Sequence, residues 1–347
     1  MIICAPMADR PTVLVTGGAG YIGAHAVLAL TAAGRRVVVL DNFSTGVREA
    51  IPAGVKLIEG DVGDAALLAR VFADEAIGAV MHFAGSIVVP ESVADPLGYY
   101  HNNTVKSHGL IRAAVAAGFG PKRGAFLFSS TAAVYGTPKE LPVGEDSPTV
   151  PINPYGASKL MTETMLRDTG RAHGLAHGIL RYFNVAGADP EGRVGQSTPA
   201  ATHLIKVACQ AVLGTRAKLD IYGEDFPTPD GTGVRDYIHV ADLAHAHVLA
   251  LEKLESGAPA LLLNCGYGHG ASVREVIAAV ERASGRKVPV TSAPRRPGDP
   301  AALYAKADRI RAELGWRPRY DDLDVIVRSA YAWEQKLISG TRRSSTR

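Results

Sequence analysis

The segment that most constrains the fold of this chain is a glycine-rich turn between a strand-like run and a helix-like run. Thr12–Thr16 is rich in β-branched residues and predicts a buried strand, and the alanine-rich segment 21–33 predicts a helix. Between them, Gly18, Gly20 and Gly23 fit the spacing G-x-G-x-x-G. Without side chains, backbone N–H groups at such a turn can approach a pyrophosphate, and the helix N-terminus adds positive potential. With 37 glycines in the chain, a tight turn that holds no ligand remains an alternative.

The first part of the chain alternates between short apolar runs and amphipathic segments. Strands are predicted over 12–16, 37–40, 55–59, 79–83 and 125–128, and helices over 21–33, 64–76 and 96–117. This alternation predicts an α/β fold, a Rossmann-type doubly wound parallel sheet that binds its ligands at the carboxyl ends of the strands. We expect a nucleotide-binding domain over 1–184. A smaller C-terminal α/β substrate domain is expected over 185–347, with some of its segments returning to the first domain.

Composition excludes several other classes of protein. A net charge of +3 in 347 residues does not indicate a nucleic-acid or membrane partner. Three widely spaced cysteines have no metal-binding pattern and fit reduced thiols, so we expect a cytoplasmic protein without a metal. No apolar run reaches the ~18 residues of a membrane-spanning helix. Residues 1–10 are expected to be a disordered leader and 340–347 a loose tail.

Two aspartates follow predicted strands. Asp41 ends the second strand, at about the distance from the glycine turn where a carboxylate accepts the ribose hydroxyls of adenosine, which favours NAD over NADP. Asp61 follows the third strand and is expected beside the adenine. Each carboxylate has a simpler alternative, the capping of its own turn.

Tyr155 and Lys159 are the candidate catalytic pair. They follow Asn153-Pro154 in a predicted helix, so they share one helix face, one turn apart. A neighbouring ammonium and an oxidised nicotinamide would both favour the tyrosine phenolate and bring its pKa towards neutral pH. Thr131, after the fifth strand, is a candidate third partner that hydrogen-bonds the same sugar oxygen, although a strand-end cap is the alternative.

A second Tyr-x-x-x-Lys pair, Tyr135 and Lys139, does not predict a catalytic site. Gly136 and Pro138 lie between the two residues and break a helix, so their side chains cannot share a face.

These motifs resemble those of the extended short-chain dehydrogenase/reductase family, and within it the family of UDP-glucose 4-epimerases (UDP-galactose 4-epimerases). The resemblance runs from Val13 to Trp333. Its segments are TGGAGYIG (16–23), LDN (40–42), EGD (59–61), HFAG (82–85), ESV (91–93), NPYGASKLM (153–161), RYFN (181–184), DGTGVRDYIHV (230–240) and APRRPGD (293–299).

The resemblance implies catalytic roles for Thr131, Tyr155 and Lys159. It also implies an NAD site formed by Gly17, Gly18, Gly20, Tyr21, Ile22, Gly23, Asp41, Asn42, Ser44, Thr45, Asp61, Val62, Phe83, Ala84, Gly85, Asn102, Ser129, Tyr155, Lys159, Tyr182 and Phe183. The implied UDP-sugar site comprises Thr131, Tyr155, Asn184, His203, Leu204, Asp220, Ile221, Tyr222, Arg235, Arg296, Asp299 and Leu303. Arginines suit a diphosphate and tyrosine suits stacking on uracil, although a surface arginine more often forms an ion pair.

The chain departs from the family pattern at three positions. Ile87 stands where many members have a lysine, and Thr131 replaces the usual serine while keeping the hydroxyl. Leu303 stands where a tyrosine often limits the bulk of the sugar. The smaller leucine leaves N-acetylated sugars open as substrates.

The resemblance implies an NAD-dependent isomerase that interconverts UDP-glucose and UDP-galactose by oxidation at C4, rotation of the 4-keto sugar and re-reduction. Alternatives are a 4-epimerase of another UDP-sugar (UDP-GlcNAc/GalNAc, UDP-xylose/arabinose or a UDP-uronate), a nucleotide-sugar 4,6-dehydratase, and a non-catalytic NAD-binding protein. Dehydratases carry Asp-Glu after the Ser/Thr, whereas this chain has Ala132-Ala133. Family members also imply a homodimer formed through the helices of 96–117 and 153–173.

Overall fold

The computed structural model describes residues 11–198, 201–296 and 299–344. The strands are β1 (Thr12–Thr16), β2 (Val37–Asp41), β3 (Lys56–Glu59), β4 (Ile77–His82), β5 (Ala125–Thr131), β6 (Ala176–Tyr182), β7 (Asn184–Ala186), β8 (Leu219–Tyr222), β9 (Val234–Arg235), β10 (Tyr237–His239), β11 (Ala260–Cys265), β12 (Ala271–Ser272), β13 (Val290–Ala293) and β14 (Ala302–Leu303). The helices are α1 (Tyr21–Ala32), α2 (Ala65–Asp74), α3 (Val89–Ala94), α4 (Pro96–Tyr99), α5 (Lys106–Ala116), α6 (Pro154–His173), α7 (Leu204–Leu213), α8 (Val240–Glu255), α9 (Val273–Ser284), α10 (Asp308–Leu314) and α11 (Leu323–Ser344).

The chain forms two compact units. The first comprises residues 1–134, 151–181 and 244–263, and the second comprises 135–150, 182–243 and 264–347. The sequence predicts one boundary, after residue 184. In the structure, residues 135–150, which precede that boundary, belong to the second unit, and residues 244–263, which follow it, belong to the first. The returning segment carries most of α8 and of β11, and β11 forms the edge of the large sheet.

The first unit is built on a seven-stranded sheet in the order β11-β6-β5-β4-β1-β2-β3. The pairs that join β5, β4, β1, β2 and β3 are parallel, and every residue of β1, β2 and β4 is buried. Apolar residues from strands and covering helices, among them Leu14, Leu110, Phe126 and Leu166, form one core cluster. The order reverses between β1 and β4, so this is the Rossmann-type doubly wound sheet that the sequence predicts, with its switch point beside the glycine turn.

Local sequence signals set the helix ends in this unit. The Asp64 carboxylate accepts the N–H groups of Ala66 and Leu67 and caps α2. Asn153 caps α6 by accepting the N–H of Gly156, and Pro154 occupies the first helical position. α6 ends at Gly174, whose φ of 67° lies in the left-handed region. These caps fix where the candidate catalytic helix begins and ends.

Three sequence expectations about elements were wrong. The helix predicted over 96–117 is divided into α4, a π-helical turn over Tyr100–Val105, and α5. The strand β5 continues to Thr131 rather than ending at 128, so the Ser-Ser-Thr segment lies within it. The tail expected from residue 340 is instead helical up to Ser344 as part of α11. The expectation for 1–10 lies outside the described residues.

The second unit contains smaller sheets. β12, β9 and β14 form one sheet, β7 pairs with β10, and β8 pairs with β13. The Asp242 carboxylate accepts bonds from the Tyr267 hydroxyl and from the N–H groups of Arg319 and Tyr320, and its backbone carbonyl accepts the Trp316 indole N–H. These bonds tie the segment before α11 to the start of α8. The smaller α/β architecture is as expected from the sequence.

The burial of β1 predicts a large cost for truncation in its centre. Replacing Leu14, which has no exposed surface, by alanine should lower the free energy of unfolding by about 2–5 kcal/mol, because a cavity remains in a close-packed core. Leu141→Ala is the matched control. That leucine is 36% exposed, and its truncation should cost less than about 1 kcal/mol. Urea denaturation followed by circular dichroism measures both, and equal losses for the two variants would contradict the described core.

Candidate functional site

The glycine turn between β1 and α1 can be occupied only by glycine at two positions. Gly17 has φ of 71°, and a Cβ there would lie 2.5 Å from the backbone nitrogen of Ala84. A Cβ at Gly23 would lie 2.1 Å from the carbonyl oxygen of Gly17. No side chain among the described residues caps the N-terminus of α1 at Gly20. The bare turn and uncapped helix start therefore fit a pyrophosphate, and Tyr21 and Ile22 form the first turn of the helix.

Asp41, at the end of β2, is tied to the glycine turn. Its Oδ2 accepts the N–H of Ala19 at 2.9 Å, and its Oδ1 accepts the N–H of Phe43 at 2.8 Å. The turn-capping role that the sequence left open is therefore present. Each oxygen of a carboxylate can accept a second hydrogen bond, so the same group fits the predicted ribose contact.

Asp61 lies beside Asn42, which the sequence also places in the NAD site. It accepts hydrogen bonds from the Asn42 amide at 2.9 Å, the Lys106 ammonium at 2.7 Å and the Gly63 N–H at 2.7 Å. Partial burial acts to raise the pKa of Asp61, but these hydrogen bonds hold it below the ordinary value. The carboxylate is therefore ionised at neutral pH.

Tyr155 and Lys159 lie one turn apart on α6, as predicted. The Lys159 ammonium donates to the Ser129 carbonyl at 3.1 Å and lies 5.0 Å from the ring centre of Phe128. Tyr155 forms a hydrogen bond with Thr131. The Thr131 oxygen also accepts the N–H of Ala133 at 3.1 Å, so the threonine both caps the following turn and meets the tyrosine. The three predicted catalytic residues therefore meet at the carboxyl end of β5.

The protein alone does not lower the pKa of Tyr155. Burial raises it, and the hydrogen bond with Thr131 acts in the opposite direction. Burial lowers the pKa of Lys159 to about 8. From the sequence, the neighbouring ammonium and an oxidised nicotinamide are both expected to favour the phenolate. In this structure desolvation of the phenol outweighs the hydrogen bond with Thr131, and a cationic nicotinamide would act against that desolvation.

Asn103 is a residue of the site that no sequence motif indicated. Its side-chain oxygen accepts the N–H of Ser86 at 2.8 Å, and its amide nitrogen donates to the Ser86 carbonyl at 2.9 Å and the Ser158 hydroxyl at 3.0 Å. Ser158 in turn donates to the Tyr155 carbonyl at 2.8 Å. The neighbouring Asn102, which was predicted, donates to the Ser86 hydroxyl at 2.9 Å. Both asparagines lie in the π-helical turn, and together they join the loop after β4 to the catalytic helix.

His82 supports this network without taking part in acid–base chemistry. Its two ring nitrogens contact the hydroxyls of Thr16 at 2.6 Å and Ser107 at 2.8 Å. Ser107 donates its own proton to the Asn103 carbonyl, so it accepts from the histidine. Burial, and then the charge of Lys159, lower the pKa of His82 to about 3, so the ring is neutral.

The second unit holds most of the residues predicted for the UDP-sugar. The Arg296 guanidinium lies 3.8 Å from the ring centre of Tyr222. Arg235 is paired with Asp299 at 3.6 Å, which is the ion-pair alternative, and Leu303 lies opposite Arg235 in the paired strands β14 and β9. Arg296 therefore places a cationic group beside the ring of Tyr222, and Arg235 lies opposite Leu303.

Other predicted substrate residues differ in how well they fit that role. Asn184, His203 and Leu204 line one cavity of the second unit. Ile221 is buried, which does not fit a contact between its side chain and a ligand. Asp220 already accepts the Thr291 hydroxyl at 2.5 Å, which with Lys218 lowers its pKa.

The remaining predicted cofactor residues lie at strand ends or in the loops that follow. Phe83 and Ala84 follow β4 and donate their N–H groups to the Thr16 carbonyl. The others are Gly18 and Gly85, the exposed Ser44 and Thr45, the buried Val62, and Tyr182 and Phe183, which belong to the second unit. Their roles stay predictions.

Two further features of the described chain bear on its class. None of its described helices combines the length and apolar character needed to cross a bilayer. No group of three or more histidine, cysteine, aspartate or glutamate side chains in the described ranges is arranged to hold a metal ion.

A doubly wound sheet with a bare glycine turn, an aspartate beside that turn at the end of β2, and Thr131, Tyr155 and Lys159 at the end of β5 is typical of a nucleotide-dependent enzyme of the dehydrogenase type. The chain belongs to the NAD dependent epimerase/dehydratase family, whose model matches residues 13–266. It is 64% identical over 330 residues to the UDP-glucose 4-epimerase of Azospirillum brasilense, covering 95% of this chain and 94% of that protein.

Solved structures that resemble this chain include two UDP-glucose 4-epimerases. The UDP-glucose 4-epimerase of Brucella ovis in complex with NAD matches with a TM-score of 0.89 and 45% identity, covering 93% of this chain and 98% of the other. The enzyme of Bifidobacterium longum in complex with NAD+ and UDP matches with a TM-score of 0.89 and 41% identity, over 94% and 98%.

The buried Lys159 predicts a specific pH dependence of stability. Its pKa is about 8 in the folded protein and near the ordinary 10.5 when unfolded, so between these values only the unfolded state holds the proton. The free energy of unfolding contributed by this group therefore rises with pH across that window, in total by about 3 kcal/mol. Urea denaturation of the wild type and of Lys159→Met from pH 7 to 10.5 measures the difference.

The exposed Lys122→Met is the control and should leave that difference flat, because its ammonium is hydrated in both states. A Lys159→Met difference that is equally flat would show that this lysine is not buried as described.

Proposed function

We propose that this protein is a UDP-glucose 4-epimerase that interconverts UDP-glucose and UDP-galactose. The observation that carries the proposal is the meeting of Thr131, Tyr155 and Lys159 at the end of β5, in a chain whose relatives bear that activity over nearly their whole length. The reaction needs a base for one sugar hydroxyl, beside a hydride acceptor for the carbon that bears it.

The residues of the first unit fit an NAD cofactor. The turn of Gly17, Gly20 and Gly23 leaves room that any Cβ would fill, and the start of α1 offers N–H groups to the pyrophosphate. Asp41 holds a carboxylate beside that turn, which suits the ribose hydroxyls and disfavours a 2′-phosphate. Bound NAD supplies the hydride acceptor, and later the hydride donor, for C4 of the sugar.

Tyr155 carries the proton in this mechanism. Its phenolate oxygen would take the proton of the sugar 4-hydroxyl as C4 is oxidised. After the 4-keto sugar has turned, it would return the proton to the same oxygen as C4 is reduced on its opposite face. Thr131 donates to the same oxygens and orients the hydroxyl. Lys159, held by the Ser129 carbonyl, stabilises the phenolate while its own ammonium is protonated.

The second unit provides the groups that hold UDP. Arg235 and Arg296 would bind the diphosphate. Arg235 would then leave its ion pair with Asp299, and Arg296 would leave the ring of Tyr222. Asn184, His203 and Leu204 lie together and would contact the same ligand. Firm binding of the diphosphate, with few contacts to the hexose, allows the keto sugar to rotate without leaving.

Other activities are less well supported. A 4,6-dehydratase needs an additional acid and base, and Ala132 and Ala133 occupy the places after Thr131 where those enzymes carry them. A non-catalytic NAD-binding protein would have no use for the Thr131–Tyr155 hydrogen bond. Other UDP-sugars remain candidate substrates, because Leu303 offers little bulk next to Arg235.

We also propose that the enzyme is a cytoplasmic homodimer. An apolar patch of Val93, Leu97, Val105 and Met161 lies on α3, α4, the π-helical turn and α6, with 46–78% of each side chain exposed. Such a patch is typical of a surface that a partner covers. The unpaired thiols of Cys209 and Cys265 suit a reducing compartment.

Tyr155→Phe should abolish most of the turnover and leave NAD binding largely intact, because it removes only the oxygen that carries the proton. We expect kcat to fall at least about 100-fold, measured by NMR as conversion of UDP-galactose to UDP-glucose. Tyr331→Phe, on α11 of the second unit, is the matched control and should retain wild-type turnover. Equal activity of both variants would remove Tyr155 from the mechanism, and conversion with loss of water would favour a dehydratase.

Leu97→Glu should convert the dimer to a monomer, because it places a charge in the most exposed residue of the apolar patch. Sedimentation velocity at micromolar concentration measures the mass of each species. Val290→Glu, at a 43% exposed position of the second unit, is the control and should remain dimeric. A monomeric wild type, or a dimer that survives Leu97→Glu, would contradict the proposed interface.

A further inference from the structure

The last three residues of β5 are each bonded to a different turn of α6. The Ser129 carbonyl accepts the Lys159 ammonium, and Thr131 is hydrogen-bonded to Tyr155. Ser130, between them, donates its hydroxyl to Oε1 of Glu163 at 2.6 Å. Tyr155, Lys159 and Glu163 follow one another at intervals of one helical turn, so they share one face of α6. The proposed catalytic roles use the first two contacts and leave the third, between Ser130 and Glu163, unexplained.

Glu163 is a fully buried carboxylate with a second set of partners. Arg181, on β6, donates from Nε to Oε1 at 2.9 Å and from Nη2 to Oε2 at 2.7 Å. The Glu163 side chain has no exposed surface, and that of Arg181 has 2%. A buried ion pair of this kind adds little net stability, because desolvation of both charges offsets their attraction, so stability alone does not account for it. What the pair provides is a fixed point for the Ser130 hydroxyl.

We infer that Glu163 is a positioning residue for the epimerase reaction. Through Ser130 it sets the end of β5 against α6, and so places Thr131 beside the Tyr155 phenol and the Ser129 carbonyl beside Lys159. This inference rests on the proposed function. Ser130 itself is 2% exposed and Glu163 is buried, so both act through their neighbours rather than on the sugar.

Chemistry explains why the position holds a carboxylate. Both oxygens of Glu163 are acceptors, and together they take three hydrogen bonds, two from a planar guanidinium and one from a hydroxyl. A glutamine has one acceptor oxygen and would turn its amide donors towards either Arg181 or Ser130. In either orientation Arg181 would lose at least one of its two hydrogen bonds to this side chain, and the negative charge of Glu163 would no longer lie beside it.

Three variants and one control separate positioning from plain stability. Ser130→Ala removes only the hydrogen bond between Ser130 and Glu163 and leaves the ion pair between Glu163 and Arg181. Glu163→Gln weakens both of these interactions. The double variant combines the two substitutions. Glu75→Gln is the matched control. Glu75 is a glutamate 5% exposed in the same unit, paired with Lys56 and Arg36 away from β5. Turnover is measured well below all melting temperatures, together with NAD content and KM for UDP-galactose.

We expect Ser130→Ala to lower kcat about 3–10-fold with KM within about 2-fold and a melting temperature close to that of the wild type. Glu163→Gln should lower kcat about 10–100-fold, and the double variant no further, because both changes break the same contact. Glu75→Gln should lose stability and keep kcat. Unchanged kcat in Ser130→Ala, additive losses in the double variant, or an equal loss of kcat in Glu75→Gln would each overturn the inference. If Glu163→Gln does not fold, Ser130→Ala decides alone.

Crystal structures of the wild type and of Ser130→Ala give a readout that does not depend on the substrate. We expect residues 129–131 to move away from α6 and the bonds of Thr131 and Ser129 to lengthen. Unmoved residues would overturn the positioning role even if the protein turns over UDP-galactose. A wild type that fails to convert the sugar would overturn the proposed function instead. In that case, the movement of residues 129–131 in the Ser130→Ala crystal structure still shows whether Glu163 positions the end of β5 against α6.

Discussion

The junction between the carboxyl end of β5 and the buried face of α6 is the constraint on which the rest of the site depends. A phenol, an ammonium and a carboxylate on successive turns of one helix meet three successive residues of one strand. Lys159 and Glu163 are both buried, so each of these charged groups must find its partners within the protein. The same burial that fixes their positions raises the pKa of Tyr155 and lowers that of Lys159. Burial therefore affects both the positions of these side chains and the pKa values of Tyr155 and Lys159.

The nucleotide half of the site depends on a different constraint, which is close packing of backbone on backbone. Gly17 and Gly23 bring β1, α1 and the residue after β4 within distances that no side chain permits. Asp41 is tied to that turn by the Ala19 N–H, so the proposed ribose contact and the proposed phosphate contact are positioned together. Asn103 then connects the loop after β4 to α6. The proposed cofactor site and the proposed proton carrier therefore belong to one continuous network in the first unit.

Features with a local cause could be predicted from the sequence, and features that depend on distant partners could not. The strand β1, the glycine turn and the caps of α2 and α6 follow from residues a few positions apart. The π-helical turn that places Asn103 leaves no pattern in the sequence, because its asparagines resemble any polar helix surface. The extension of β5 to Thr131, the raised pKa of Tyr155 and the Glu163–Arg181 pair arise from tertiary burial. The sequence also could not show that Asp220 is already paired.

In the proposed mechanism, the hydrogen on C4 leaves the sugar as hydride and returns to the same carbon, while Tyr155 carries only the proton on oxygen. The most direct test is turnover of UDP-galactose that carries deuterium at C4, in ordinary water, with the product analysed by NMR and mass spectrometry. We expect UDP-glucose that retains deuterium at C4, formed more slowly than from the unlabelled sugar. A product that carries protium from solvent at C4 would contradict it, because that outcome requires removal of the hydrogen as a proton.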